Sequence, residues 1–145
     1  MALFEPTASS TEIAGKGYIV ASIGKETEEL PYTAYFAKKS YIDENPDIIQ
    51  KFTNAIYKGQ KWVDTHSTEE VADAIISYFP NTERDLVITV LNRYKEIDVW
   101  NKTPYLSEEG FELLQTIIQE AGELKQKAPY NKVVNNDFAN AVVGE

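Results

Sequence analysis

The sequence contains no cysteine and only one histidine among its 145 residues. Without cysteine the chain can form neither a disulfide framework nor a zinc site built on thiolates. The single histidine, His66, has no second histidine and no cluster of acids at ligand spacing, so we expect no metal site. The chain also lacks a glycine-rich phosphate loop, and we expect no cofactor.

Long hydrophobic runs and positive charge are scarce as well. No apolar run approaches the 18 residues of a membrane span, and no basic and apolar leader is visible at the amino terminus. The 14 basic residues against 23 acidic ones give a net charge of -9. Nucleic acids and anionic membranes require a basic surface, so we expect neither as a partner. We find no nucleophile with a neighbouring base, and we therefore predict no catalytic residue and no enzymatic activity.

Helix signals recur along the chain. The stretch 45–47 provides Asn as a cap, Pro in the first helical position and an acid in the first turn. Ser67 with Glu70 is typical of a capping box, and Ser107 is typical of another helix start. Apolar residues spaced by three and four support these segments. The predicted helices cover 7–14, 45–63, 67–79, 82–94, 107–124 and 136–143.

Two apolar segments in the first third of the chain indicate β-strands. Tyr18 to Ile23 is largely apolar, and Tyr32 to Phe36 is rich in aromatic and β-forming residues. We therefore predict an α/β fold, rich in helices and with about two strands. Two strands do not form a self-sufficient sheet. Their partners are either missing from this chain or supplied by a second copy in a homodimer.

The ordered set of motifs resembles one known family. Phe4-Glu5-Pro6-Thr7, "GYIVASIG", "PYTAYFAKKSYIDENPDIIQKFTNAIYKGQKWV", "YLSEEGFELLQTIIQEAGEL" and "APYNKVVNNDFANAVV" follow one another at similar spacings in that family. It comprises the substrate-binding proteins of ABC importers of the nitrate, sulfonate, taurine and thiamine-precursor type. The resemblance covers nearly the whole chain, although each motif alone has little specificity.

The resemblance implies the two-lobed fold of type II periplasmic binding proteins, of which this chain would be the downstream, C-terminal portion. Residues 1–30 would complete the second lobe, residues 31–37 would form the strand that crosses between lobes, and residues 38–145 would pack as helices on the first lobe. The full-length protein would capture a small solute outside the cytoplasm, in the periplasm or as a lipoprotein, and deliver it to ABC permease subunits. Its export leader would then lie upstream of this chain.

Five residues are candidates for contact with the solute. In the resembling family an acidic or aromatic residue near the "EP" position lies beside the cleft, which singles out Glu5 and Phe4. Tyr32 and Thr33 fall on the predicted crossing strand, and Trp100 lies in a loop rich in aromatics. Structural roles are the alternative for each: a favourable charge at a helix start for Glu5, and core or surface packing for the aromatics.

Two other functions remain open at this stage. The wider superfamily includes enzymes of thiamine-precursor biosynthesis, which would require histidine and metal chemistry outside this chain. A standalone helical interaction protein is the other alternative. The solute and the oligomeric state are not specified by the sequence.

Overall fold

A computed structural model of the protein describes residues 1–27 and 29–144, and these residues form helices joined by irregular segments. None of the described residues lies in a β-strand. None of the described helices has the length and apolarity of a membrane span. The helices are α1 (Thr7–Ile13), α2 (Ile23–Glu26), α3 (Lys39–Glu44), α4 (Pro46–Thr65), α5 (Thr68–Ile75) with a 3₁₀ turn at Ile76–Tyr78, α6 (Arg84–Glu96), α7 (Glu108–Glu120), α8 (Tyr130–Val133) and α9 (Asp137–Val143).

The chain divides into two compact units. Unit 1 consists of Met1–Glu26 and Lys61–Asn101, and unit 2 consists of Thr27–Gln60 and Lys102–Glu145. Both units therefore draw on two separate stretches of the sequence. The domain boundaries predicted from the resemblance, at residues 30 and 37, stay predictions.

The core of unit 1 lies between α5 and α6. Its buried residues are Val71, Ala72, Val87 and Leu91, and partly buried apolar side chains surround them, including both tryptophans. The start of α5 carries the predicted capping box: the Glu70 N–H donates to Ser67 Oγ at 3.2 Å, and the Ser67 N–H donates to the Glu70 carboxylate at 2.9 Å. Such a cap stabilises a helix by about 1 kcal/mol. The sequence motif and the structure agree here.

Unit 2 is organised by side-chain amides. The Gln115 side chain on α7 is buried; its Oε1 accepts from the Ala128 N–H at 2.6 Å and its Nε2 donates to the Ala128 carbonyl at 3.2 Å. The Asn136 side chain binds the backbone of Leu106 in the same way: its Oδ1 accepts from the Leu106 N–H at 3.1 Å, and its Nδ2 donates to the Leu106 carbonyl at 2.9 Å. The predicted cap of α7 is confirmed, since Ser107 Oγ accepts from the N–H at position 110 at 3.1 Å.

The predicted α/β fold is wrong for the described chain. Residues 18–22, called the first extended segment below, belong to no sheet, and the last residue of the predicted strand, Ile23, begins α2. Residues 30–38, called the second extended segment, also belong to no sheet and lead into α3. A strand requires a neighbour that accepts and donates its backbone hydrogen bonds, and neither segment has such a neighbour in the described chain. The predicted homodimer was to form by pairing of these strands, and the described residues contain no strand. Dimerisation itself stays a prediction.

Candidate functional site

Arg93 on α6 is the centre of a polar cluster in unit 1. Its Nη1 donates to the Ser9 hydroxyl at 2.6 Å and lies 3.4 Å from Glu5 Oε1, while its Nη2 donates to the Glu12 carboxylate. Ser9 is completely buried, and the Glu5 side chain is only 11% exposed. One guanidinium thus joins α6 to α1 and to Glu5, which lies two residues before α1, as its fork of donors allows.

Glu5 uses both carboxylate oxygens within this cluster. Oε1 pairs with Arg93, and Oε2 accepts from the Ser9 N–H at 3.0 Å. The first N–H groups of a helix have no partner inside the helix, and a carboxylate there also meets the positive end of the helix dipole. A solute that reached Glu5 would therefore share an acceptor that already serves α1 and α6.

Glu12 connects the cluster to the first extended segment. One of its oxygens accepts from the Ile19 N–H at 3.1 Å, and the other pairs with Arg93. The Ile19 donor, followed by the Arg93 guanidinium, lowers the pKa of the Glu12 carboxyl below its usual value. The backbone at Ile19 is thereby attached to α1, although the neighbouring side chains Tyr18 and Val20 remain exposed.

An aromatic pair lies next to the cluster: Tyr94 follows Arg93 on α6, and Trp100 lies in the irregular segment after that helix. The Tyr94 and Trp100 rings meet edge to face with centroids 5.5 Å apart. Burial raises the pKa of the Tyr94 hydroxyl, and the negative charge of Glu5 adds to the effect. Glu5 and Trp100 are therefore both neighbours of Tyr94. Phe4, the residue before Glu5, is 71% exposed.

Tyr32 and Thr33 lie in unit 2, on the second extended segment. Both are exposed, Tyr32 by 77%. The segment begins against the start of α7, where a Cβ added at Gly110 would lie 3.3 Å from Pro31 Cδ and 3.2 Å from the Glu29 carbonyl. The structure thus places three of the five candidates in unit 1 and two in unit 2. Their contact with a solute stays a prediction.

His66 has only structural contacts. Its ring stacks on Trp62 with centroids 4.3 Å apart, and its Nδ1 lies 2.8 Å from the Trp62 carbonyl oxygen. Lys95 on α6 donates to the His66 carbonyl. Across residues 1–27 and 29–144, no group of three or more His, Asp or Glu side chains could hold a metal ion. The arrangement fixes the end of α4 beside α6.

Sequence reasoning singled out Glu5 but missed its partners. Arg93 is 88 residues from Glu5 and belongs to a helix whose pattern shows only its apolar face. Ser9 and Glu12 follow Glu5 at spacings of four and seven, which places all three on one side of α1. A polar stripe with two carboxylates on so short a helix indicates that a cation from elsewhere in the chain binds there. This was the signal in the sequence that could have revealed a partner such as Arg93.

Comparison with known proteins gives one relative. The chain is 47% identical over 143 residues to a Bacillus subtilis (strain 168) protein named "Putative binding protein YtlA". The match covers 99% of this chain but 43% of the relative, so the chain spans less than half of that protein's length. No family model matches the chain, and no solved structure matches it.

Proposed function

We propose that this chain is part of the solute-binding component of an ABC importer. The similarity to a protein named as a binding protein carries the proposal, because 47% identity extends over nearly the whole chain. That relative supports a binding role. The finer assignment, to importers of small organic or oxyanion solutes, rests on the motif resemblance, of which "GYIVASIG" and "YLSEEGFELLQTIIQEAGEL" are parts.

In this role the chain acts within a longer polypeptide. The relative is more than twice as long as the stretch it shares with this chain. A component that captures solute for import works on the outer side of the cell membrane, in the periplasm or as a lipoprotein, and its protein partners are the permease subunits. Capture and release require no bond to be made or broken, only contacts that favour the occupied state.

The polar cluster of unit 1 supports binding rather than catalysis. The buried Ser9 hydroxyl faces Arg93, which cannot accept a proton and so cannot activate it as a nucleophile. The carboxylates of Glu5 and Glu12 are engaged by the same guanidinium. The exposed Phe4 ring and the Tyr94–Trp100 pair offer flat apolar surfaces on which a planar solute could stack.

The test compares two proteins by titration calorimetry: this chain alone, and a chimera in which it replaces the matching stretch of the B. subtilis relative. The ligands are alkyl sulfonates, nitrate and aminopyrimidines. We expect micromolar binding of one of these classes by the chimera and weak or no binding by the chain alone. A folded chimera that binds none of them would contradict the importer role. Micromolar binding by the chain alone would contradict the claim that it works only as a part.

A standalone helical interaction protein is the second candidate function. The absence of strands from the described residues favours it, since a helical chain does not need partner strands. This function requires the 145-residue chain to be a stable monomer that unfolds cooperatively. Sedimentation equilibrium and thermal unfolding of the chain measure both properties. Self-association or absence of a cooperative transition would exclude this candidate.

A further inference from the structure

The chain exposes more surface than its size requires. Its accessible surface is 10972 Å², whereas a folded monomer of 16.4 kDa exposes about 7500 Å². The arrangement of the two units does not account for the excess. Two separate globular bodies of half this mass would together expose only about 9100 Å². Roughly 1900 Å² therefore remains, which is about twice the 800 Å² that one partner contributes to a standard protein–protein interface.

Large apolar side chains of two extended segments are among the most exposed. In unit 1, Tyr18 and Val20 are 87% and 95% exposed. In unit 2, Tyr35 and Phe36 are 74% and 97% exposed, although Tyr35 also meets Phe52 of α4 edge to face at 4.9 Å. Single exposed apolar residues are ordinary, but runs of this kind indicate an interaction surface.

Part of the backbone of the second extended segment is also without hydrogen-bond partners. Within the part of the chain that the structure describes, residues 33–37 make no backbone hydrogen bond. An extended run of free N–H and C=O groups beside aromatic side chains is the form in which a chain segment binds a partner, because main-chain bonds supply affinity and side chains supply register.

We propose that the two extended segments are the docking surfaces for another part of a longer binding protein, corresponding to the stretch of the B. subtilis relative that lies outside the match. The inference rests on the proposed function, which makes the chain one part of such a protein. Because 143 residues are 43% of the relative, roughly 190 residues remain unmatched. That is the size of a domain. A domain is large enough to cover the roughly 1900 Å² of excess surface.

A second copy of this chain is the less favourable occupant. Each copy carries a net charge of -9 at pH 7, so association of two copies concentrates like charge. Covering the segments with another part of the same polypeptide avoids the loss of translational freedom that association of separate chains incurs. A covalently linked partner therefore covers the segments at every protein concentration, whereas a dimer would cover them only at high concentration.

The absence of cysteine makes a direct test possible, since any introduced thiol is the only one in the chain. Phe36→Cys and Val20→Cys place a thiol on each segment, and Tyr78→Cys, 80% exposed and outside both segments, is the matched control. Each variant is made in the chain alone and in the chimera, with any cysteines of the relative replaced by serine. The rate of maleimide labelling is then measured without solute.

We expect all three thiols to react at similar rates in the chain alone. In the chimera, the thiols at positions 36 and 20 should react at least tenfold more slowly, while the thiol at position 78 keeps its rate. Equal rates in chain and chimera would overturn the proposal. Protection in the chain alone that grows with its concentration would also overturn it, because a second copy would then be the occupant.

A chimera that fails to fold is replaced by the intact B. subtilis relative, with cysteine at the three aligned positions. Labelling at the positions of Phe36 and Val20 as fast as at the position of Tyr78 would overturn the proposal there too. The docking surface and the importer role fail separately. Protection without binding of any solute contradicts only the importer role, and solute binding without protection contradicts only the docking surface.

Discussion

Replacing Arg93 by methionine should separate α1 from α6 in unit 1. Methionine keeps most of the apolar stem but removes the guanidinium, so packing is largely retained while the charge is lost. The variant leaves the buried Ser9 hydroxyl and the carboxylates of Glu5 and Glu12 without their cation. Because the Glu5 side chain is only 11% exposed, water can compensate its loss only in part.

The structure sets the expected size of the effect. A hydrogen bond from a charged donor to a buried hydroxyl contributes about 1.5 kcal/mol or more. The ion pair with Glu5 is partly exposed, since the Arg93 and Glu5 side chains are 32% and 11% accessible, and solvent screening reduces it to about 0.5 kcal/mol. Together the hydrogen bond and this pair predict a loss of about 2 kcal/mol. With a urea dependence near 1 kcal/mol per molar for so small a unit, the midpoint falls by roughly 2 M.

Tryptophan fluorescence is the appropriate assay. Both tryptophans of the chain, Trp62 and Trp100, lie in unit 1, so their emission during urea unfolding follows this unit. Arg84→Met is the matched control, because Arg84 lies on the same helix and pairs with Asp73 at 2.6 Å. Both partners there are exposed, by 42% and 62%, and a surface ion pair of this kind contributes little to stability.

The comparison of the two variants decides the matter. Arg93→Met should lower the urea midpoint at least threefold more than Arg84→Met. Equal shifts would mean that the Arg93 cluster is no stronger than a surface ion pair, and the account of how α1 is held to α6 would be refuted.

Two further predictions concern glycines and acid. An added Cβ meets nothing within 4 Å at Gly59 on α4, but at Gly110 it lies 2.9 Å from Ser107 Oγ. Thermal unfolding should therefore show Gly59→Ala stabilised, by up to about 1 kcal/mol, and Gly110→Ala destabilised; the reverse order would contradict the close contact at α7. The lowered pKa of Glu12 stabilises the fold above the carboxyl's unfolded value of 4.5 and ceases to do so as pH falls through the folded value. The difference between the urea midpoints of wild type and Glu12→Gln should thus be large at pH 7 and shrink as the pH is lowered below 4.5; a constant difference would exclude the linkage.

Local signals predicted helix starts well. Ser67 with Glu70, Ser107 and the proline at position 46 all mark observed starts, because a cap is satisfied by atoms three residues away. Strands require partners distant in sequence, and none of the described segments supplies them for 18–22 or 30–38. The same β-forming composition therefore yielded chain that lies outside any sheet in the described residues.

The candidate site shows the same division. Glu5 could be picked out because the chain around it carries a recognisable motif. Arg93 could not be picked out, because it lies 88 residues from Glu5 in the sequence. Its role becomes visible only when α6 is seen to lie beside α1. Three short helices were also missed: α2, α3 and α8 have four to six residues each. Helices this short make few internal bonds and depend on contacts outside the helix.

The Gln115 side chain acts as a substitute for a peptide group. It offers one acceptor and one donor to the backbone of Ala128, at the distance that a neighbouring main chain would have. Glutamate at this position would lose the donor and set a carboxylate against a carbonyl oxygen, and asparagine is one methylene too short to reach. Both the hydrogen-bonding groups and the length of the side chain therefore restrict which residues can replace Gln115. Divergent homologues that retain this loop should keep glutamine even where the flanking surface of α7 has drifted.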